Sequence, residues 1–212
     1  MNRNVVNVVL AILFMLAGIA PVFAMNNYDD PRILLSFKDK ALTPELDILR
    51  IKAKVSSDNQ LIFEVKTRGE RINGEAGDYF FLHLINGSSY ILRVPVNQIK
   101  GDEVLVYEST LQSKPHARSS LPEELRKSSL KADFSAKRIP NGIEYLIPMD
   151  WIDFGNDFSY DAYTAQVSMQ GDTLSIDKIY DQAGKGRKEE KRFSAITLLN
   201  KLCTTRKIIL TE

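Results

Sequence analysis

The chain has 212 residues, 44% of them hydrophobic and 26% charged, which is the composition of a folded protein and excludes a disordered tail or a collagen. Its 28 Lys+Arg against 27 Asp+Glu give a formal net charge of +1, so there is no electrostatic reason to expect a dedicated nucleic-acid binder. A single cysteine and two histidines exclude an internal disulfide framework and any Cys-based zinc site, and they leave little for a His-rich metal centre.

The first residues read as an address. Arg3 precedes an apolar run from Val8 to Ala17, and Val22-Phe23-Ala24 places small residues where an A-x-A-like cleavage site needs them. The run is shorter than the roughly 20 residues that span a bilayer, so residues 1–24 are expected to be a cleaved signal peptide. Residues 25–212 would then be a single exported domain, with no stable membrane insertion after cleavage. Removing Arg3 leaves acids and bases equal in number. Export would place Cys203 in an oxidising compartment without an internal partner, and burial in a C-terminal helix is its expected fate.

Period-two alternation dominates the middle of the chain. Leu49, Ile51, Ala53 and Val55 alternate with charged residues, and Leu61, Phe63 and Val65 repeat the pattern after Ser56-Ser57-Asp58-Asn59, which predicts a hairpin. Residues 79–85 and 89–96 flank Asn86-Gly87, a dipeptide suited to the positive φ of a tight turn. A third hairpin is predicted around Pro140-Asn141-Gly142 (132–139 with 143–147) and a fourth around Gly171-Asp172 (162–169 with 173–180). Strands at this turn spacing predict an all-β fold, an immunoglobulin-like or jelly-roll-like antiparallel β-sandwich of about eight or nine strands.

Two segments depart from that pattern. Residues 110–131 form a polar excursion with one short helix expected after Leu121-Pro122-Glu123-Glu124. Residues 182–212 begin as a charged, glycine-containing linker. They continue with Phe193, Ile196, Leu199, Leu202 and Cys203 at helical spacing and end on an edge-strand candidate, Lys207-Ile208-Ile209-Leu210.

Gly184-Lys185-Gly186-Arg187 lacks the spacing of a phosphate loop, and neither a nucleophile elbow nor an H-E-x-x-H pair is present. No catalytic residue is assigned. Asp153, Asp157 and Asp161, with Asp150 and Asn156 nearby, offer hard oxygens for a calcium ion, although turn chemistry explains the same residues. Trp151 is the only tryptophan, and Tyr145, Tyr160 and Tyr163 lie close to it in sequence. Such rings either stack on sugar faces in a cleft or fill an ordinary core. His83 alternates with Leu82 and Leu84 and is expected on the opposite face of its strand; it is kept with Trp151, Tyr145 and Tyr163 as a candidate ligand contact.

The passage Gly142-Ile143-Glu144-Tyr145-Leu146-Ile147-Pro148-Met149-Asp150-Trp151-Ile152 resembles the G-x-E-x-x-I-P-x-x-x-L segment of carbohydrate-binding module family 9 and related DOMON-like β-sandwiches, with Ile152 in place of the final Leu. Leu46-Asp47-Ile48-Leu49-Arg50 through Gly69 is similar to the opening hairpin of those domains. The resemblance covers roughly residues 44–181. It implies an extracytoplasmic sandwich that binds carbohydrate or, in some relatives, haem. Sugar-binding members clamp a sugar between two tryptophans, whereas this chain has only Trp151; haem-binding members use Met with His or Lys, for which Met149, Met169 and His83 are available.

These observations together predict a secreted or periplasmic, non-enzymatic binding protein for carbohydrate or glycoconjugate. The alternatives are a protein-interaction component of an envelope or secretion system, whose partner would be an envelope protein, and a haem-binding DOMON-like domain.

Overall fold

Each predicted hairpin folds where its turn chemistry places it. The computed structural model describes residues 30–70, 77–109, 121, 124–129, 133–185 and 193–209. The predicted signal peptide, His116 and the stretch 186–192 lie outside the described residues. A short β1 (Ile33–Leu35) precedes the hairpin of β2 (Ile48–Val55) and β3 (Gln60–Thr67). The hairpin of β4 (Asp78–Asn86) and β5 (Ser88–Pro95) turns on Gly87, whose φ is +75°. β6 (Leu105–Ser109) and β7 (Glu124–Lys127) follow. Next come β8 (Ser135–Ile139) and β9 (Gly142–Pro148), then β10 (Asp157–Gln170) and β11 (Thr173–Gln182) around Gly171. The two-residue β12 (Phe193–Ser194) leads into the helix α1 (Ala195–Ile209).

The Asn141-Gly142 turn shows why the dipeptide is informative. Asn141 and Gly142 have φ of 55° and 151°, and a Cβ on Gly142 would lie 2.0 Å from the Val65 carbonyl oxygen. Only glycine lets β9 pair so closely with β3.

The strands form an all-β antiparallel sandwich. One sheet has the order β1-β2-β3-β9-β8 and the other β11-β7-β6-β5-β4-β10-β12. Between them lies a core that includes Ile51, Phe63, Val65, Ile143 and Ile147 from the first sheet and Leu82, Leu84, Leu92 and Phe158 from the second. Burying such side chains yields roughly 1.5–3 kcal/mol each relative to exposure, so this interface dominates the fold.

Within the second sheet β10 pairs with β11 as well as with β4, so β4, β5, β6, β7, β11 and β10 close into a ring of paired strands. Register shifts between Thr164 and Ala165 and between Gln166 and Val167 bend the β10–β11 hairpin, as bulges do. The alternate residues of these strands meet inside the ring: Phe81, Ile91, Tyr107, Leu125, Tyr163, Ala165, Val167 and Leu174. β4 and β10 are therefore buried on both faces, which explains the nearly unbroken apolar run from Tyr79 to Ile85.

Three expectations are corrected. Among the described residues there are twelve strands, more than the eight or nine expected, because β1, β6, β7 and β12, of two to five residues each, lie outside the four predicted hairpins and are too short to show alternation. The excursion 110–131 holds a strand, β7, where a helix was expected. Leu125 is fully buried inside the ring and pairs with Leu174, and this tertiary contact outweighs the helix-start signal. Lys207, Ile208 and Ile209 belong to α1, not to an edge strand, while Leu210 lies outside the described residues.

Helix α1 starts at Ser194, whose Oγ accepts the Thr197 backbone N–H at 3.2 Å as an N-cap does. Its buried residues are Ala195, Leu198 and Leu202, which join the inter-sheet core. The buried stripe is thus rotated from the predicted one, leaving Ile196 and Cys203 exposed. Among the described residues no helix is long and apolar enough to cross a membrane.

Polar groups fix the sheets against each other. Thr164 Oγ1 donates to the Leu46 carbonyl at 2.6 Å, and the Ile48 N–H donates to Asp181 Oδ2 at 2.8 Å. Arg68 Nε meets the buried carboxylate of Asp47 at 2.8 Å. Arg138, on β8, donates to the carbonyls of Pro95, Val96, Asn97 and Gly101 beyond β5 and pairs with Asp102.

Candidate ligand-binding groove

The β2–β3 turn is built by its own side chains. Ser56 Oγ accepts the Gln60 N–H at 3.0 Å, the Ser56 N–H donates to the Gln60 carbonyl at 2.9 Å, and Asn59 takes the positive φ of 58° that asparagine tolerates. The Asn59 carbonyl accepts the Met149 N–H at 3.3 Å. This ties the turn to the 3-10 turn Met149–Trp151 at the end of β9, which Pro148 starts.

Between these two turns, the segment before β8 and helix α1 lies an open groove of about 750 Å³. Val55, Pro148, Met149 and Leu199 give it an apolar floor; Asp58, Asn59, Gln60, Asp133 and Asp150 supply polar groups, and Cys203 lies at the helix side. The carboxylates accept hydrogen bonds only, whereas the two amides both donate and accept. Among the described residues no cationic side chain lines it. The Ser56 hydroxyl and the backbone N–H of Asp58 hold the Asp58 carboxyl below its ordinary value, so it is ionised at neutral pH.

Trp151 follows Asp150 directly. It is half-buried, with edge-to-face contacts to Tyr90 at 5.2 Å and Phe134 at 5.0 Å. Its ring packs against the margin of the inter-sheet core; its sequence neighbour Asp150, and Asp133 next to Phe134, line the groove, whereas Trp151 itself is not among the lining residues. It is neither fully core nor freely exposed.

The other predicted ligand contacts are elsewhere. Tyr145 is fully buried in the inter-sheet core, where its hydroxyl has no hydrogen-bond partner and burial pushes its pKa well above the ordinary tyrosine value. Tyr163 lies inside the strand ring and its hydroxyl accepts a hydrogen bond from Gln182 Nε2 at 3.2 Å. His83 is buried on the ring side of β4, with Nε2 at 2.7 Å from Ser89 Oγ, and burial lowers its pKa to about 4. These three side chains do not join Trp151 in a cleft. Alternation buries them because both faces of β4 and β10, and the inner face of β9, are covered.

The acidic candidates separate in the same way. Asp153 caps its own turn, accepting the Gly155 N–H at 2.9 Å and Asn156 Nδ2 at 2.7 Å. Asp157 is exposed at the start of β10, opposite Ser194. Asp161 is buried, and both of its oxygens are occupied: Oδ1 accepts the N–H groups of Ala162 and Gly184, and Oδ2 accepts Gln182 Nε2. Among the described residues no three His, Cys, Asp or Glu side chains gather as a metal ion requires. Of the methionines considered for haem, Met149 lines the groove and Met169 contacts Arg93.

Asp58, Asn59, Gln60 and Asp133 were missed as site residues. Asp58 and Asn59 read as turn formers, Gln60 opens β3, and Asp133 reaches the groove from a segment remote in sequence. No known family model, curated protein or solved structure matches the chain.

Proposed function

We propose that this chain is an exported, non-enzymatic binding protein whose groove takes a carbohydrate or glycoconjugate. The observation that carries the reading is the combination of an open apolar floor with carboxylates and carboxamides at its rim. A sugar presents an apolar C–H face and a ring of hydroxyls. The floor suits the first, while Asp58, Asp133 and Asp150 suit hydroxyl donors and Asn59 and Gln60 suit either role. Trp151, half-buried, follows the groove residue Asp150 in sequence. The carboxylates Asp58, Asp133 and Asp150, with no cation among the described lining residues, favour neutral sugars over acidic ones. The resemblance of residues 142–152 to carbohydrate-binding module family 9 supports the same class of ligand, and the N-terminal pattern of residues 1–24 supports export.

A glycan array followed by calorimetric titration tests the reading. Neutral glycans are expected to bind, with affinity lost in an Asp58→Ala/Asp150→Ala variant that retains the wild-type fold. Absence of any binder, or equal binding by the variant, overturns it.

A further inference from the structure

The strand ring holds a second feature that the groove does not use. Arg93, on β5, is only 7% exposed. Its guanidinium lies over the ring of Tyr79 at 4.5 Å and of Tyr107 at 5.3 Å, one on each neighbouring strand, and Nη1 donates to the Met169 thioether at 3.3 Å. Among the described residues no carboxylate pairs with it. An arginine cannot shed its proton and carries five N–H donors, of which the thioether is a weak acceptor for one. Aromatic faces attract the charge but accept few hydrogen bonds. Among the described residues the remaining donors have no acceptor.

A second orphan lies beside it. The Tyr107 hydroxyl is buried without a partner among the described residues. Buried polar groups are nearly always paired, and an unpaired one calls for an explanation. Lys100 adds positive charge on this side, its Nζ lying 5.8 Å from the Tyr79 ring. Met169 is 49% exposed, so the guanidinium lies one flexible side chain beneath the surface.

We propose that this end of the ring is an anion-binding site that takes a carboxylate group. The planar guanidinium fork matches a carboxylate bidentately, and the Tyr107 hydroxyl supplies a further donor. Carboxylate is favoured over phosphate because one buried cation is neutralised by a monoanion, and because a planar group fits beside a guanidinium flanked by two ring faces. The carboxylate displaces the Met169 sulfur from Nη1. The site shares no residue with the proposed carbohydrate groove, whose described lining holds no cation.

The test is an NMR titration of the full chain with sodium acetate against sodium chloride at equal ionic strength, following the Arg93 Nε–Hε resonance, with sodium phosphate as a parallel arm. A saturable acetate-dependent shift that is lost in Arg93→Gln, with affinity about fivefold weaker in Tyr107→Phe, is the expected result. Glucuronate and N-acetylglutamate arms separate an acidic sugar from an acidic peptide as the source of the carboxylate, and binding of either supports the site. A resonance unmoved by every carboxylate, or moved by phosphate alone, overturns it. Should Arg93→Gln fail to fold, the resonance in the unmodified chain decides the question.

Discussion

Asp181, on β11, accepts the backbone N–H of Ile48, on β2, at 2.8 Å, joining the two sheets through one carboxylate across 133 residues of sequence. The same carboxylate accepts the Gln182 N–H at 2.9 Å and pairs with Lys185 Nζ at 2.7 Å. Asp181→Ala leaves the Ile48 N–H buried and unpaired, a loss of about 1–3 kcal/mol. Asp181→Asn keeps an acceptor oxygen for Ile48 and is expected to cost less. Urea unfolding of both variants checks the order, and equal stability of Asp181→Ala and the unmodified chain would contradict the role.

His83 predicts how stability depends on pH. Burial lowers its pKa from 6.5 to about 4, so the unfolded chain binds a proton between those values while the folded one does not. The contribution is present above pH 6.5, is lost as pH falls, and is fully gone below about 4; it amounts to about 3 kcal/mol. Burial raises the Asp181 pKa despite Lys185, which acts with the opposite sign: that contribution is full below the unfolded value of 3.8 and lost as pH rises through the folded pKa. Urea unfolding between pH 7 and 4 is expected to show stability falling with pH, and His83→Gln is expected to flatten the slope. An unchanged slope in the variant would rule out His83 as its source.

Tyr145 carries a hydroxyl with no partner in the middle of the inter-sheet core. Tyr145→Phe keeps the ring and removes the unpaired polar group, so the variant is expected to be more stable by about 1 kcal/mol. Thermal unfolding measures the change, and a clear destabilisation would reveal an acceptor for that hydroxyl.

The hairpins were legible because each couples local turn chemistry to alternation. Gly87, Asn141, Gly142 and Gly171 all adopt the positive φ that their turns require. The ring was not legible, because its closure rests on the pairing of Leu174 with Leu125 and of Val167 with Ile176, contacts between short or bulged strands that leave no periodic trace. The site was legible only in part. Asp150 and Trp151 were singled out, but alternation could not tell a covered face from an open one, so Tyr145, Tyr163 and His83 stood among the candidates although all three are buried. Asp58 and Asn59 looked fully explained by the turn they make, and Gln60 stands at the first position of β3.

Trp151 is the single tryptophan of the chain and follows Asp150, which lines the groove, so its fluorescence is the intrinsic probe nearest in sequence to a groove residue. Titration with neutral oligosaccharides is expected to produce a saturable change in Trp151 emission that disappears in a folded Asp58→Ala/Asp150→Ala variant. Emission unchanged by every neutral glycan, or an identical response from the variant, would contradict the assignment of the groove as a carbohydrate site.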